Sequence, residues 1–308
     1  MSKITSIGGQ ALMEGIMMLG PKKITAAFCD EKGEISKEDI EFHFTREKYP
    51  ILGKPFLRGI FNFVDTMRLS TKAMNLSADK IEIEESESKF EKWLEKTFGD
   101  KLMKVVMALG TVLGLALSVV LFLYLPIVIF SGINMAFGGS IEPSRSLVEG
   151  CLRMLIFVMY IFLISLIPDI KRVFMYHGAE HKTIFCYEKD LELTVENVRK
   201  QKRFHPRCGT SFLVIMIVLG IIVGFFIPFT NPILRTGTKL LTIPVVVSVG
   251  YELIKLCGKY QNILTKAIST PGMWVQHLTT KEPDDKMIET AIVAMKSVIP
   301  ENGEDIVR

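Results

Sequence analysis

The sequence predicts a mainly α-helical integral membrane protein. It should carry about four transmembrane helices, a small N-terminal β-containing cytoplasmic region and amphipathic helices. Three observations lead there. Of the 308 residues, 49% are hydrophobic and the mean hydropathy is +0.32, more apolar than a soluble domain usually is. Residues 105–130 carry no charge, a run longer than the roughly 20 residues needed to cross a bilayer. The 37 basic residues are unevenly spread, with seventeen at or before Lys104, nine from Lys171 to Arg207 and seven from Lys255 onward.

The same arithmetic excludes other classes. There is ample apolar surface to bury, so disorder is not the dominant state. A net charge of +4 is too mild to argue for a nucleic-acid partner. The five cysteines are widely spaced with no C-x-x-C, which suits reduced thiols better than a disulfide framework. Residues 1–10 lack an apolar signal-peptide core, so insertion is expected to rest on internal segments.

Residues 1–49 read as a small β-rich cytoplasmic region. Residues 24–29 run into Asp30-Glu31-Lys32-Gly33, a turn signal. The glycines of residues 8–20 permit tight turns or close backbone approach, and no G-K-[ST] follows to make a phosphate loop. Residues 50–101 form an amphipathic helix and a charged linker. Phe56, Ile60, Phe63, Val64 and Met67 make the apolar stripe, with Arg58, Asp65, Arg68 and Lys72 outside or beside it. Such a helix suits a membrane interface or the protein's own cytosolic core.

Residues 102–257 are the four-helix membrane region, including a cytoplasmic loop at 169–209. Residues 105–130 and 210–234 are the clear spans. Residues 147–168 hold Glu149 and Arg153, spaced to pair on one helix face, and residues 240–257 hold Glu252 and Lys255 near their end. The basic excess places both termini and the 169–209 loop in the cytoplasm. Gly110, Gly114 and Ser118 recur every four residues, as do Gly220 and Gly224. That spacing lets helices pack closely, within one bundle or between copies of a homo-oligomer. Residues 258–308 should form C-terminal cytoplasmic helices. Pro271 can open one, with Trp274 suited to a membrane interface. The acids of residues 282–285 open another, with Ile288, Ala291, Ile292 and Met295 as its stripe.

The chemistry concentrates in His177-Gly178-Ala179-Glu180-His181. On a helix continuing from Pro168 the two imidazoles lie one turn apart and can share a divalent metal, zinc foremost, while Glu180 beside them can act as general base. The string has the H-x-x-E-H form of inverted zinc peptidases, although Gly178 weakens a helix. His205 and Cys208 lie in the same loop. With His177 and His181 they would close a structural four-ligand site. Alternatively Glu252, an acid in an apolar helix, supplies the third ligand and water the fourth. Arg203 and Arg207 suit an anion or a lipid headgroup. Cys186 and Cys208 as thiol nucleophiles are the weaker reading.

Several runs resemble the YqhQ-like family of bacterial multipass membrane proteins. They include Gly8-Gly9-Gln10-Ala11-Leu12-Met13-Glu14-Gly15, Tyr176-His177-Gly178-Ala179-Glu180-His181-Lys182 and His205-Pro206-Arg207-Cys208-Gly209-Thr210-Ser211-Phe212. Leu193-Thr194-Val195-Glu196-Asn197-Val198-Arg199, Pro271-Gly272-Met273-Trp274 with Gln276, and Thr279-Thr280-Lys281-Glu282-Pro283-Asp284-Asp285 extend the likeness over nearly the whole chain. Met273 stands where the family more usually has Leu, a volume-conserving change. The resemblance implies a domain of unknown function described as a predicted metal-dependent enzyme, located in the bacterial cell membrane. It assigns no substrate. The expectation is therefore a metal-dependent, hydrolase-like enzyme at the cytoplasmic membrane face. A non-catalytic scaffold with a structural metal, and less favoured a small-solute transporter, are the alternatives. The lipid bilayer is the expected partner.

Overall fold

The computed structural model describes residues 3–80, 105–106, 108–260 and 262–307. Most of the charged linker expected before residue 102 lies outside the described residues. The chain divides into two compact units. One comprises Met1–Ile81, Tyr160–Met216 and Val247–Arg308, the other Glu82–Met159 and Ile217–Val246.

The first unit is built on an antiparallel sheet in the order β1-β2-β3-β4, with β1 Gly8–Leu12, β2 Gly15–Leu19, β3 Ile24–Cys29 and β4 Ile35–Asp39. The inner strands are apolar at consecutive positions because both faces are covered. Ile16, Met18 and Ala27 enter one core with Tyr176, Ala179, Ile288, Ala291 and Met295. Their neighbours Met17, Ala26 and Phe28 enter a second core with Leu69 and Ala73. Register makes the split: Ile16 opposes Ala27, and Met17 opposes Ala26, so the period of two sends each pair to its own face.

A short helix α1 (Thr45–Lys48) precedes α2 (Leu57–Lys80). The face of α2 that packs carries Leu69, Ala73 and Ser77, whereas Phe56, Val64 and Met67 of the expected stripe stand exposed. Asp65, expected outside, is buried because its carboxylate accepts from the Thr45 backbone N–H and hydroxyl. Helices α5 (Pro168–Glu188), α6 (Val195–Arg199), α9 (Ile263–Thr279) and α10 (Asp285–Val298) complete the unit. Asp284 caps α10 through the Met287 N–H. Helix α9 begins earlier than Pro271. An Asn262–Thr265 capping box starts it, and Pro271 sits in its interior.

Among the described residues, three helices are long and apolar enough to cross a membrane: α3 (Ala108–Ala136), the one reaching Ile164 that contains α4 (Arg145–Ile164), and α8 (Pro232–Lys259). The fourth, α7, spans only Gly209–Gly224. Sixteen residues rise about 24 Å, short of the ~30 Å hydrocarbon core. Thus one clear span of the sequence is the short helix, and the two weaker spans are long ones.

The second unit explains this. Glu149 does not pair with Arg153. It accepts from Arg235 Nε at 2.9 Å and from Lys239 Nζ at 2.5 Å. Two cations are thereby absorbed into α8, which begins at Pro232 instead of 240. Arg235 Nη1 donates to the Ile227 and Phe229 carbonyls, and Nη2 to Ser146 Oγ and the Gly224 carbonyl. Those carbonyls end α7 or follow it, so Arg235 ties the segment after α7 to α8, while the last α7 carbonyls are met by the N–H groups of Phe225, Phe226 and Ile227. Arg153 Nε instead reaches the Phe122 carbonyl at 2.8 Å. Proline 126 has no N–H to offer that carbonyl, and a π-helical turn, Val120–Tyr124, lies at the same place.

Candidate functional site

Helix α5 runs unbroken from Pro168 through the histidine motif. Gly178 does not interrupt it, because it serves a close approach: a Cβ there would stand 2.0 Å from the Lys281 carbonyl oxygen. The Lys281 N–H in turn donates to the Phe174 carbonyl at 2.8 Å. This contact brings the chain just after α9 against α5, and with it the Thr279 carbonyl.

Each imidazole is oriented by a backbone carbonyl. His177 Nδ1 lies 2.8 Å from the Thr279 oxygen, and His181 Nδ1 is bonded to the Arg203 oxygen. A carbonyl only accepts, so Nδ1 carries the proton in both rings and both Nε2 atoms face inward. His177 Nε2 is 3.1 Å from Cys208 Sγ. The ligand atoms of His177, His181 and Cys208 all lie within 4.8 Å of one another. Two nitrogens and a sulfur held this way are a zinc-type donor set, and ring N–H groups tied to carbonyls are its usual outer support.

Glu180 is buried beside this cluster, with the β1 backbone at Gly9 against it. A side chain at Gly9 would collide with it, since a Cβ would stand 2.8 Å from Glu180 Cγ. The glycine of β1 thus makes room for the carboxylate. Burial raises the Glu180 pKa, partly opposed by the charges of His181 and His177. Burial disfavours charge on His177 too, but the neighbouring Cys208 sulfur, Glu180 and the Thr279 carbonyl outweigh it and raise its pKa to about 9. Burial alone would raise Cys208, yet His177 and His181 hold it well below the usual thiol range.

Of the other residues singled out by sequence, His205 is close but separately engaged. Its ring centroid is 5.5 Å from that of His181, and its nitrogens face Arg207 and Glu188. Burial lowers its pKa to about 4 despite Glu188. Gln276 clamps its backbone, accepting from the His205 N–H at 2.7 Å and donating to its carbonyl at 2.8 Å. Glu252 is not brought to the cluster, because Arg58 holds its carboxylate through Nε at 2.7 Å and Nη2 at 2.5 Å. Among the described residues, the three-ligand group is His177, His181 and Cys208.

The cluster opens on a cavity of about 1150 Å³, lined by His177, Glu180, His181, His205 and Cys208 together with Gly9. The sequence reading missed the backbone roles of Thr279 and Arg203, and missed Gly9 as a part of the site. The first two act through backbone carbonyls, for which residue type carries no signal.

The chain matches the model of a family described as a protein of unknown function (DUF1385) over residues 54–301. The chain belongs to this family. It is also 35% identical over 298 residues to the uncharacterized protein YqhQ of Bacillus subtilis (strain 168), covering 95% of this chain and 92% of that protein. No solved structure matches. Family membership thus agrees with the resemblance seen in the sequence motifs, and it assigns no reaction.

Proposed function

We propose that this DUF1385 member is a metal-dependent, hydrolase-like membrane enzyme whose site lies at the cytoplasmic face of a bacterial cell membrane. One observation carries the reading. Two imidazole Nε2 atoms and a thiol converge beside a buried carboxylate at the wall of a large cavity. Three protein donors leave a position for solvent or substrate, as in catalytic zinc sites. A structural site would recruit a fourth ligand, but His205 is turned to Glu188 and Arg207.

When bound there, a divalent ion, zinc foremost, supplies a Lewis acid and lowers the pKa of a water. The residues do the rest. His177, His181 and Cys208 hold the ion, and the Thr279 and Arg203 carbonyls keep the rings in place. Glu180 accepts and returns a proton, its burial drawing its proton affinity toward the working range of a general base.

The fold supports the topology. The N-terminal sheet, α5 and α10 share one core, so these segments occupy one side of any bilayer. On this reading the intervening apolar hairpins, α3 with α4 and α7 with α8, enter the bilayer from that side and return to it. Basic residues concentrated on those segments support a cytoplasmic location for that side. The Gly110–Gly114–Ser118 stripe remains the proposed contact for a homo-oligomer. Nothing described lies within 4 Å of a Cβ at Gly110 or Gly114.

The test is elemental mass spectrometry on detergent-purified protein beside a His177→Ala/His181→Ala double variant. The expected result is about one ion per chain, lost in the double variant. A Glu180→Gln variant should keep the ion and lose turnover. Equal absence of metal from wild type and double variant would sink the reading.

A further inference from the structure

The cavity is larger than the cluster requires. At about 1150 Å³ it matches sites that enclose a whole organic ligand. Its lining mixes two chemistries. Ile7, Phe174, Ile184, Leu213 and Ile254 are among its apolar members. Leu213 and Ile254 come from α7 and α8, the two apolar helices whose ends belong to this unit.

Lys255 and Lys259, one turn apart on α8, line the same cavity. Both are exposed. The acid nearest them in sequence, Glu252, is already bound to Arg58, and neither ammonium is seen in an ion pair or hydrogen bond among the described residues. Arg207, the third cation of the lining, is neutralised by Glu188. The cavity therefore joins apolar side chains to two ammonium groups that have no ion-pair partner among the described residues, Lys259 Nζ lying only over the Tyr260 ring. An apolar solute would leave the lysines without a partner, and a small anion would leave the apolar side chains wet.

We propose that the cavity binds an anionic amphiphile, a phosphate- or carboxylate-headed molecule with a hydrocarbon chain. Its acid group sits on Lys255 and Lys259, and its chain lies along Phe174, Ile184, Leu213 and Ile254. As a substrate assignment this rests on the hydrolase reading above; as a binding site it stands without it. The ligand chemistry has two sources, a bilayer lipid reaching the site between the ends of α7 and α8, or a soluble acyl compound.

Binding to the full chain in neutral detergent would be measured for dodecyl phosphate, dodecanol and inorganic phosphate by displacement of a fluorescent fatty acid. Dodecyl phosphate should bind at least about tenfold more tightly than either comparator, a difference of about 1.4 kcal/mol. Lys255→Gln/Lys259→Gln should erase that advantage and leave dodecanol unchanged. Lys266→Gln, a change to an exposed lysine of α9 outside the cavity, should alter neither. Ile254→Trp should weaken both chain-bearing ligands.

Equal binding of dodecyl phosphate and dodecanol would overturn the proposal, as would equal binding of inorganic phosphate. An equal loss in Lys266→Gln would reduce the effect to general surface charge and also overturn it. Native mass spectrometry from nanodiscs of phosphatidic acid and phosphatidylcholine separates the sources. Phosphatidic acid retained by wild type but not by the double lysine variant assigns a lipid. Dodecyl phosphate binding without retained lipid assigns a soluble amphiphile. The His177→Ala/His181→Ala variant should lose metal and keep dodecyl phosphate. If wild type holds no metal yet shows the full binding pattern, the hydrolase reading fails and the amphiphile site remains.

Discussion

The two units each bury a polar cluster, and the clusters are finished to different degrees. In the second unit Glu149 is held by Arg235 and Lys239, and every N–H of Arg235 finds an acceptor. In the first unit the outward nitrogens of His177 and His181 are satisfied by carbonyls, while their inward nitrogens meet a thiol at the wall of a cavity. Burying charge is costly, and a fully paired group offsets that cost through its own partners. The first-unit cluster instead lines a cavity, and it is the centre proposed above to take a metal. The comparison separates a fully paired lock that anchors α8 from a cluster that faces open space.

That contrast can be broken by mutation. The largest effect is expected from Glu149→Ala, which strands two buried cations and should cost about 3–5 kcal/mol. Thermal unfolding in detergent reads it, and a change below 1 kcal/mol, roughly, would deny the cluster its structural role. Next comes Gln276→Ala, which removes both clamps on His205 and a bond to Ser211 Oγ. Leaving these buried groups unpaired should cost about 1–3 kcal/mol, with metal retained at first. Gly178→Ala drives a methyl into the Lys281 carbonyl and should cost about 1–3 kcal/mol. It should also loosen metal binding, because Thr279 moves with that segment. The smallest stability change is expected from Cys208→Ser in metal-free protein, below about 1 kcal/mol, together with at least a tenfold fall in zinc affinity. A large loss of metal-free stability there would make the two clusters alike and remove the distinction.

Much of this was legible in the chain. Periodicity gave the helix from Pro168, the stripe of α10 and the shared face of His177 and His181, because those signals lie within a few residues of each other; which of His205, Cys208 and Glu252 stands beside the pair is left open by the sequence. The N-terminal strands were readable from the glycine-bounded apolar runs. Partner choice was not readable. Glu149 had a neighbour at helical spacing in Arg153, yet its charge is met from 86 residues away by Arg235. Glu252 looked available in an apolar helix, but Arg58, 194 residues earlier, holds it. The start of α8 followed from a distant pairing too, since one carboxylate, Glu149, takes up the two cations of its first turns. Spacing along a sequence reports which groups share a face, and only the fold reports what faces them.

The Thr279 carbonyl that steadies His177 lies 102 residues further along the chain, and the strand pair beneath the site packs on α10, later still. During synthesis the histidines, the thiol and both apolar hairpins all emerge before the segment that aligns them. Until α9 and α10 are made, His177 has no such anchor and the sheet lacks its cover. Assembly of the cluster is thereby timed by the order of translation, and a nascent or prematurely truncated chain carries the two histidines and the thiol without the carbonyl that orients His177.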